Sequence, residues 1–149
     1  MATRMDITRG FQVEQPDLFI PWKISPSQLQ RIFDGGALRR VGQDYFTTSC
    51  TSLGGLSHEL GFHFHRLFFG LFGPSRLMDL EFFRTSPPAL AASYQEFQRH
   101  LEGTFGKPTR SFPGTEGFDT HLWELPGIRI GHSIYERFTV GQSVRITKL

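Results

Sequence analysis

Six histidines, a single cysteine and 14 carboxylates are the side chains with which this 149-residue chain could do acid-base, nucleophilic or metal chemistry. The segment His58-Glu59-Leu60-Gly61-Phe62-His63 has the outline of a zinc-protease signature. That motif needs histidines four apart on a helix, whereas these are five apart in strand-like sequence, so it is excluded. His63 and His65 are a better pair. Two residues apart on a strand, they share one face about 7 Å from each other, a spacing that can chelate a metal.

A hairpin gives the pair neighbours. If its turn centres near Phe72, His63 falls opposite Glu81 and His65 opposite Asp79, while Phe62 meets Phe82 and Phe64 meets Leu80. Polar and apolar pairs then come out in register together. Cross-strand charge pairs on a solvated face explain the four polar residues and contribute only about 0.2–1 kcal/mol each. The same four would serve a protein-binding patch or, as a further alternative, a two-histidine, two-carboxylate metal site. His132 shares its face with Ile128, Ile130 and Ile134 and reads as a hydrogen-bonded core histidine. Cys50 lies in a hydroxyl-rich strand and reads as a packed thiol. No G-x-S-x-G elbow, P-loop or G-x-G-x-x-G occurs, and Gly114-Thr115-Glu116-Gly117 lacks the lysine a phosphate cradle needs. No catalytic residue is assigned, no cofactor or resident metal is expected, and the chain is read as a non-enzyme.

The elements that must position these residues follow from periodicity. Residues 1–23 show no sustained period and read as an arm packed on the domain, with Leu18 to Trp22 as its docking end. Ser25 and Pro26 open a short helix with Leu29, Ile32 and Phe33 on one stripe, stopped by Gly35-Gly36. Tyr45–Ser52, Leu60–Phe64 and Leu77–Arg84 read as strands, the last two joined by the turn cluster Gly70–Ser75. Leu90, Tyr94, Phe97, Leu101 and Phe105 recur at helical steps, and Gly106 with Pro108 ends that helix. A Gly/Pro-rich loop follows to about Phe118, then three strands, His121–Leu125, Ile128–Tyr135 and Ser143–Lys148. There is no internal repeat. The order predicts a single α+β domain over 1–149, an antiparallel sheet of about five to six strands with one long and one short helix on one face.

Composition narrows the function classes. Sixteen phenylalanines supply most of the large apolar surface, too much for a disordered chain. With one cysteine, an intramolecular disulfide and the multi-cysteine zinc sites are excluded. A net charge of +2 is spread along the chain, which does not suit a nucleic-acid patch. No segment has the apolar length of a membrane span or of a secretory signal, so a cytoplasmic address without membrane contact is expected.

Leu77-Met78-Asp79-Leu80-Glu81-Phe82-Phe83, then Ser93-Tyr94-Gln95-Glu96-Phe97 through Thr104-Phe105-Gly106-Lys107-Pro108-Thr109, then Trp123, Ile128-Arg129-Ile130-Gly131-His132 and Val144-Arg145-Ile146, form a succession over residues 45–149. It resembles the small α+β immunity proteins that bacteria encode beside polymorphic, contact-dependent or type VI secreted toxins. The resemblance implies a cytoplasmic protein that binds one cognate toxin and covers its active site or substrate access, without chemistry of its own. No toxin-contacting residues carry over. The slightly basic balance suits a toxin with an acidic face better than a nuclease with a basic cleft. From the residues themselves, His63, His65, Asp79, Glu81, Phe72, Phe112 and Phe118 are the candidate contacts, with Phe69 and Phe83 as further aromatics outside the expected core. The alternatives are a small metal-dependent enzyme built on His63, His65, Asp79 and Glu81, and an adaptor or chaperone-like module.

Overall fold

The computed structural model describes residues 6–34, 36–66, 74–85, 89–137 and 139–149. Ten strands occur among them, β1 (Gly10–Val13), β2 (Leu18–Pro21), β3 (Arg39–Gly42), β4 (Tyr45–Ser52), β5 (Leu56–Arg66), β6 (Ser75–Phe83), β7 (Arg110–Phe112), β8 (Thr120–Leu125), β9 (Ile128–Arg137) and β10 (Thr139–Lys148). Helices α1 (Pro26–Ile32) and α2 (Leu90–Phe105) complete the elements, with a short 3-10 turn at Thr115–Gly117. β3 to β10 form one antiparallel eight-stranded sheet in the order β3-β4-β5-β6-β10-β9-β8-β7, and β1 pairs with β2 apart from it.

The expectation of an α+β domain with five to six strands is therefore overturned: the chain is mainly β. The missed strands have two physical causes. β3 and β7 are the two edges of the sheet and all their residues are exposed, so no alternation of burial marks them in the sequence. β1 and β2 have four residues each on either side of Pro16, and the stretch read as an irregular arm is a hairpin. That hairpin is tied to the sheet. The Glu14 carboxylate accepts the backbone N–H groups of Gly54 and Gly55 at 2.8 Å each, and Thr51 donates its N–H to the Gln15 carbonyl at 3.0 Å.

Topology follows a simple path. β3 to β6 form one meander, α2 carries the chain across to the far edge, and β7 to β10 walk back until β10 pairs with β6. α1 starts where the sequence says: Ser25 Oγ accepts from Gln28 N at 3.2 Å, and the Gln28 side chain accepts from Ser25 N at 2.8 Å. α2 buries Ser93, Tyr94, Phe97 and Leu101 and ends at Gly106, whose φ of 84° suits glycine. Its exit is fixed by Trp123, which donates its indole N–H to the Gly106 carbonyl at 2.8 Å.

One face of the sheet carries the core. Leu60, Phe62 and Phe64 of β5, Leu80 and Phe82 of β6, Ile128 and Ile130 of β9, and Val144 and Ile146 of β10 are all buried in one cluster with residues of the hairpin and both helices. Phe11 of the hairpin meets Phe82 edge-on at 5.4 Å, and Phe33 beside α1 meets Phe62 at 5.8 Å. Burying each such ring contributes roughly 1.5–3 kcal/mol before entropy.

The pairing of β5 with β6 differs from expectation by two residues. His63 lies opposite Asp79, Gly61 opposite Glu81, Phe62 opposite Leu80 and Leu60 opposite Phe82. A slip of two preserves which face each side chain takes, which is why the polar and apolar sets still separate. A bulge then interrupts the ladder. His63 pairs with Asp79 but Phe64 pairs with Leu77, so Met78 is the extra residue and Leu77 turns into the core rather than sharing a face with Asp79.

Candidate functional site

Among the described residues the second face of the sheet carries neither helix nor hairpin, and the register lays out its side chains in rows. One row runs Tyr45, His63, Asp79, Thr147, Arg129 and Glu124 across six strands. The next runs Thr47, Gly61, Glu81, Arg145, Gly131, Leu122 and Arg110. At the seam between β6 and β10, Arg145 grips Asp79 side-on, with Nη2 2.9 Å from Oδ2 and Nε 3.3 Å from Oδ1; Thr147 Oγ1 donates to the same carboxylate at 3.2 Å. Asp79 is 7% exposed while the Arg145 side chain is 42% exposed, so the carboxylate is fixed beneath a guanidinium that still faces solvent.

Beside it the Tyr45 ring lies tilted by 32° against His63 with centroids 4.4 Å apart, and its hydroxyl donates to Glu81 at 3.2 Å. Gly61 makes this possible. A Cβ there would come 2.7 Å from the Tyr45 hydroxyl oxygen, so the ring lies over bare backbone. Burial and the adjacent Glu81 push the Tyr45 phenol up to about 12. His63 Nε2 is shut off from water without a hydrogen-bond partner among the described residues and stands 3.8 Å from Glu81 Oε1, too far for a hydrogen bond and close enough for an ion pair. His63 is the main influence holding Glu81 below the usual carboxylate range, outweighing burial, with Arg145 and Tyr45 acting in the same direction.

The candidate contacts divide on this geometry. His63, Asp79 and Glu81 are together. His65 sits beyond the bulge, exposed and opposite Arg76, and Asp79 is already held by Arg145 and Thr147. Among the described residues no three His, Cys, Asp or Glu side chains converge as a metal would require. Phe112 is 44% exposed on edge strand β7, whereas Phe118 packs on Tyr94 at 4.9 Å and belongs with α2. Phe72 and Phe69 lie outside the described residues. Sequence reasoning missed Tyr45, Arg145 and Thr147. The alternation Val144, Arg145, Ile146 signals that Arg145 points away from the core, but nothing in the sequence says that β10 lies against β6.

Two further polar groups lie on the core side. Ser52 and His58 Nε2 are 2.5 Å apart with Cys50 Sγ at 3.9 Å, which has the look of a nucleophile and its base. Ser52 is fully buried, so no substrate carbonyl reaches it; burial also pushes the Cys50 thiol up to about 12 and lowers His58. The second group surrounds His132, fully buried and stacked on Tyr94 at 4.4 Å. Ser93 donates to Gln142 Oε1 at 2.7 Å, Gln142 Nε2 donates to His132 Nε2 at 2.7 Å, and His132 Nδ1 donates to Gln98 Oε1 at 2.8 Å. This chain satisfies a neutral imidazole, and burial with the nearby His121 lowers it to about 3. The expected core histidine is thus found as one.

Among the described residues no helix is long and apolar enough to cross a membrane. Comparison with protein-family models, with curated protein sequences and with solved structures finds no match to the chain.

Proposed function

We propose that this protein is a cytoplasmic binding module of the immunity type, which neutralises a cognate bacterial toxin by laying the open sheet face over it and performs no catalysis of its own. The observation that carries the reading is that face: eight strands wide, covered by none of the described elements, and set with charged groups already fixed in place. Seven inter-strand spacings give about 34 Å of width, and strands averaging about eight residues give some 25 Å of length, so the face offers roughly 850 Å². A stable protein complex needs about 800 Å² per partner.

The two rows balance three carboxylates against three guanidiniums, with Arg145 paired to Asp79 and Arg110 to Glu124, so acidic groups of a partner would be met chiefly at Arg129. Asp79 holds the Arg145 fork in one orientation before any partner arrives, which lowers the entropy cost of binding, and Arg129 stands exposed two strands away from Asp79. A guanidinium held by a buried carboxylate has the character of an interface hot spot. The Ser52 hydroxyl is fully buried, while its partner His58 and Cys50 line a cleft of about 480 Å³.

The test is co-expression with the toxin encoded in the adjacent reading frame, followed by pull-down and growth rescue. Wild type restores growth and co-purifies with the toxin. Arg129→Glu, at an exposed position, weakens binding roughly tenfold or more without loss of fold, and Arg145→Glu weakens it further. Absence of a complex with any genomic neighbour overturns the reading; binding unaffected by either substitution overturns the choice of face.

A further inference from the structure

A second feature lies on the core side, at the end of the sheet away from the Asp79 row. A cleft of about 330 Å³ opens between the first turn of α2, the end of β6 and the facing ends of β9 and β10. This is at the lower end of the roughly 300–1,000 Å³ typical of small-molecule sites. Its walls are largely apolar, with Phe82, Leu90, Phe97, Tyr135 and Val140. Tyr135 and Val140 are 47% and 40% exposed, so the outer wall presents apolar surface to solvent.

Two features of the cleft, Arg84 and the start of α2, favour negative charge, although the Glu96 carboxylate already pairs with the first of them. Arg84 lies in the wall with its guanidinium over the Phe97 ring, 5.1 Å from the centroid, and its side chain is only 14% exposed. Glu96 accepts from Nη2 at 2.5 Å, the one hydrogen bond of that fork among the described residues, and a guanidinium has five N–H donors. Leu90 and Ser93 of the first turn of α2 also line the cleft, which places it at the positive end of a 16-residue helix that has no side-chain cap and no acidic residue in its first turn. No described lining residue is acidic.

From the apolar walls and the enclosed guanidinium we infer that this cleft binds a small carboxylate with an apolar body, its carboxylate on Arg84 and its hydrocarbon between Leu90, Phe97 and Val140. The inference does not depend on the toxin-binding reading; Tyr135 at the rim of the cleft lies over Gly141 on the open-face side, and the rest of the named lining is on the core side. A carboxylate entering here exchanges water for charge-assisted hydrogen bonds in a largely apolar surround, where such bonds are strongest.

Octanoate titrated into the full chain, followed by amide and arginine side-chain NMR, tests it. The expected result is saturable shifts at Leu90, Ser93, Gly141 and the Arg84 Nε–H, with octanol binding at least roughly tenfold more weakly because it lacks the charge. Arg84→Gln removes the preference for octanoate over octanol. Should that variant fold poorly, Val140→Trp, at a half-exposed position, blocks the cleft and abolishes binding. Equal affinity for octanoate and octanol, shifts confined to other parts of the chain, or octanoate binding undiminished in Val140→Trp each overturn the inference.

Discussion

Acidification should destabilise this protein through His132, by an amount the structure fixes. In the native state the imidazole is fully buried, neutral, and held by Gln98 and Gln142, with a folded value of about 3 against an ordinary value of 6.5. The unfolded chain therefore takes up a proton near pH 6.5 that the native state refuses until about pH 3. Stability is fully present above about pH 6.5 and is lost progressively as pH falls through that window. At pH 5 the imidazole lies 1.5 units below its unfolded value, and at roughly 1.36 kcal/mol per unit the loss relative to pH 7.5 is about 2 kcal/mol. For a chain of this size that corresponds to a fall in Tm of about 4–8 °C. His58 is lowered by burial too and adds in the same direction. The assay is urea unfolding at pH 7.5 and pH 5 for wild type and His132→Gln, comparing the change with pH rather than absolute stability. The variant should lose about 2 kcal/mol less than wild type over the interval. An identical loss in both proteins, or an imidazole carbon shift showing His132 protonated in the native state at pH 5, would refute the reasoning.

Three other outcomes are expected. Gly61→Ala places a Cβ where the Tyr45 hydroxyl lies, so the ring must move off Glu81; in a spectrophotometric titration the phenol at about 12 should return toward 10, and an unchanged titration would remove Gly61 from the account. Ser25→Ala deletes one arm of the α1 capping box and should cost about 1 kcal/mol in denaturant unfolding, with no loss pointing to a helix held by Leu29 alone. Cys50, buried and with its thiol pushed up, should resist a disulfide reagent at pH 8 in the native state and react promptly in urea; rapid native reaction would contradict its burial.

What could be read from residues alone was whatever burial writes into local periodicity. β4 is found at its expected bounds, α2 at its expected stripe, and α1 at its expected cap. The edge strands β3 and β7 bury nothing and so left no pattern, and the hairpin at residues 10–21 is too short for one to develop. The same limit governs the open face. His63 and Glu81 were placed on one face because strand parity is local, but their pairing was misjudged by two residues because register depends on the connection and on the Met78 bulge. Arg145 and Asp79 are 66 residues apart, and only the β6 to β10 pairing brings them into contact. Phe118 went the other way: an aromatic in a loop looked available, yet the turn before it delivers the ring onto Tyr94.

The contact between β6 and β10 has a consequence for how the protein assembles. Each four-stranded half closes through neighbours in sequence, whereas this one pairing must wait until α2 has crossed the molecule, at the entropy cost of closing a long loop. Asp79 stands on one half, Arg145 and Thr147 on the other. Neither half alone holds the charged centre of the open face. A chain with one finished half and one unfinished half would present a polar surface without its ordered guanidinium, so the recognition proposed for that face would be reserved for molecules whose two halves have joined.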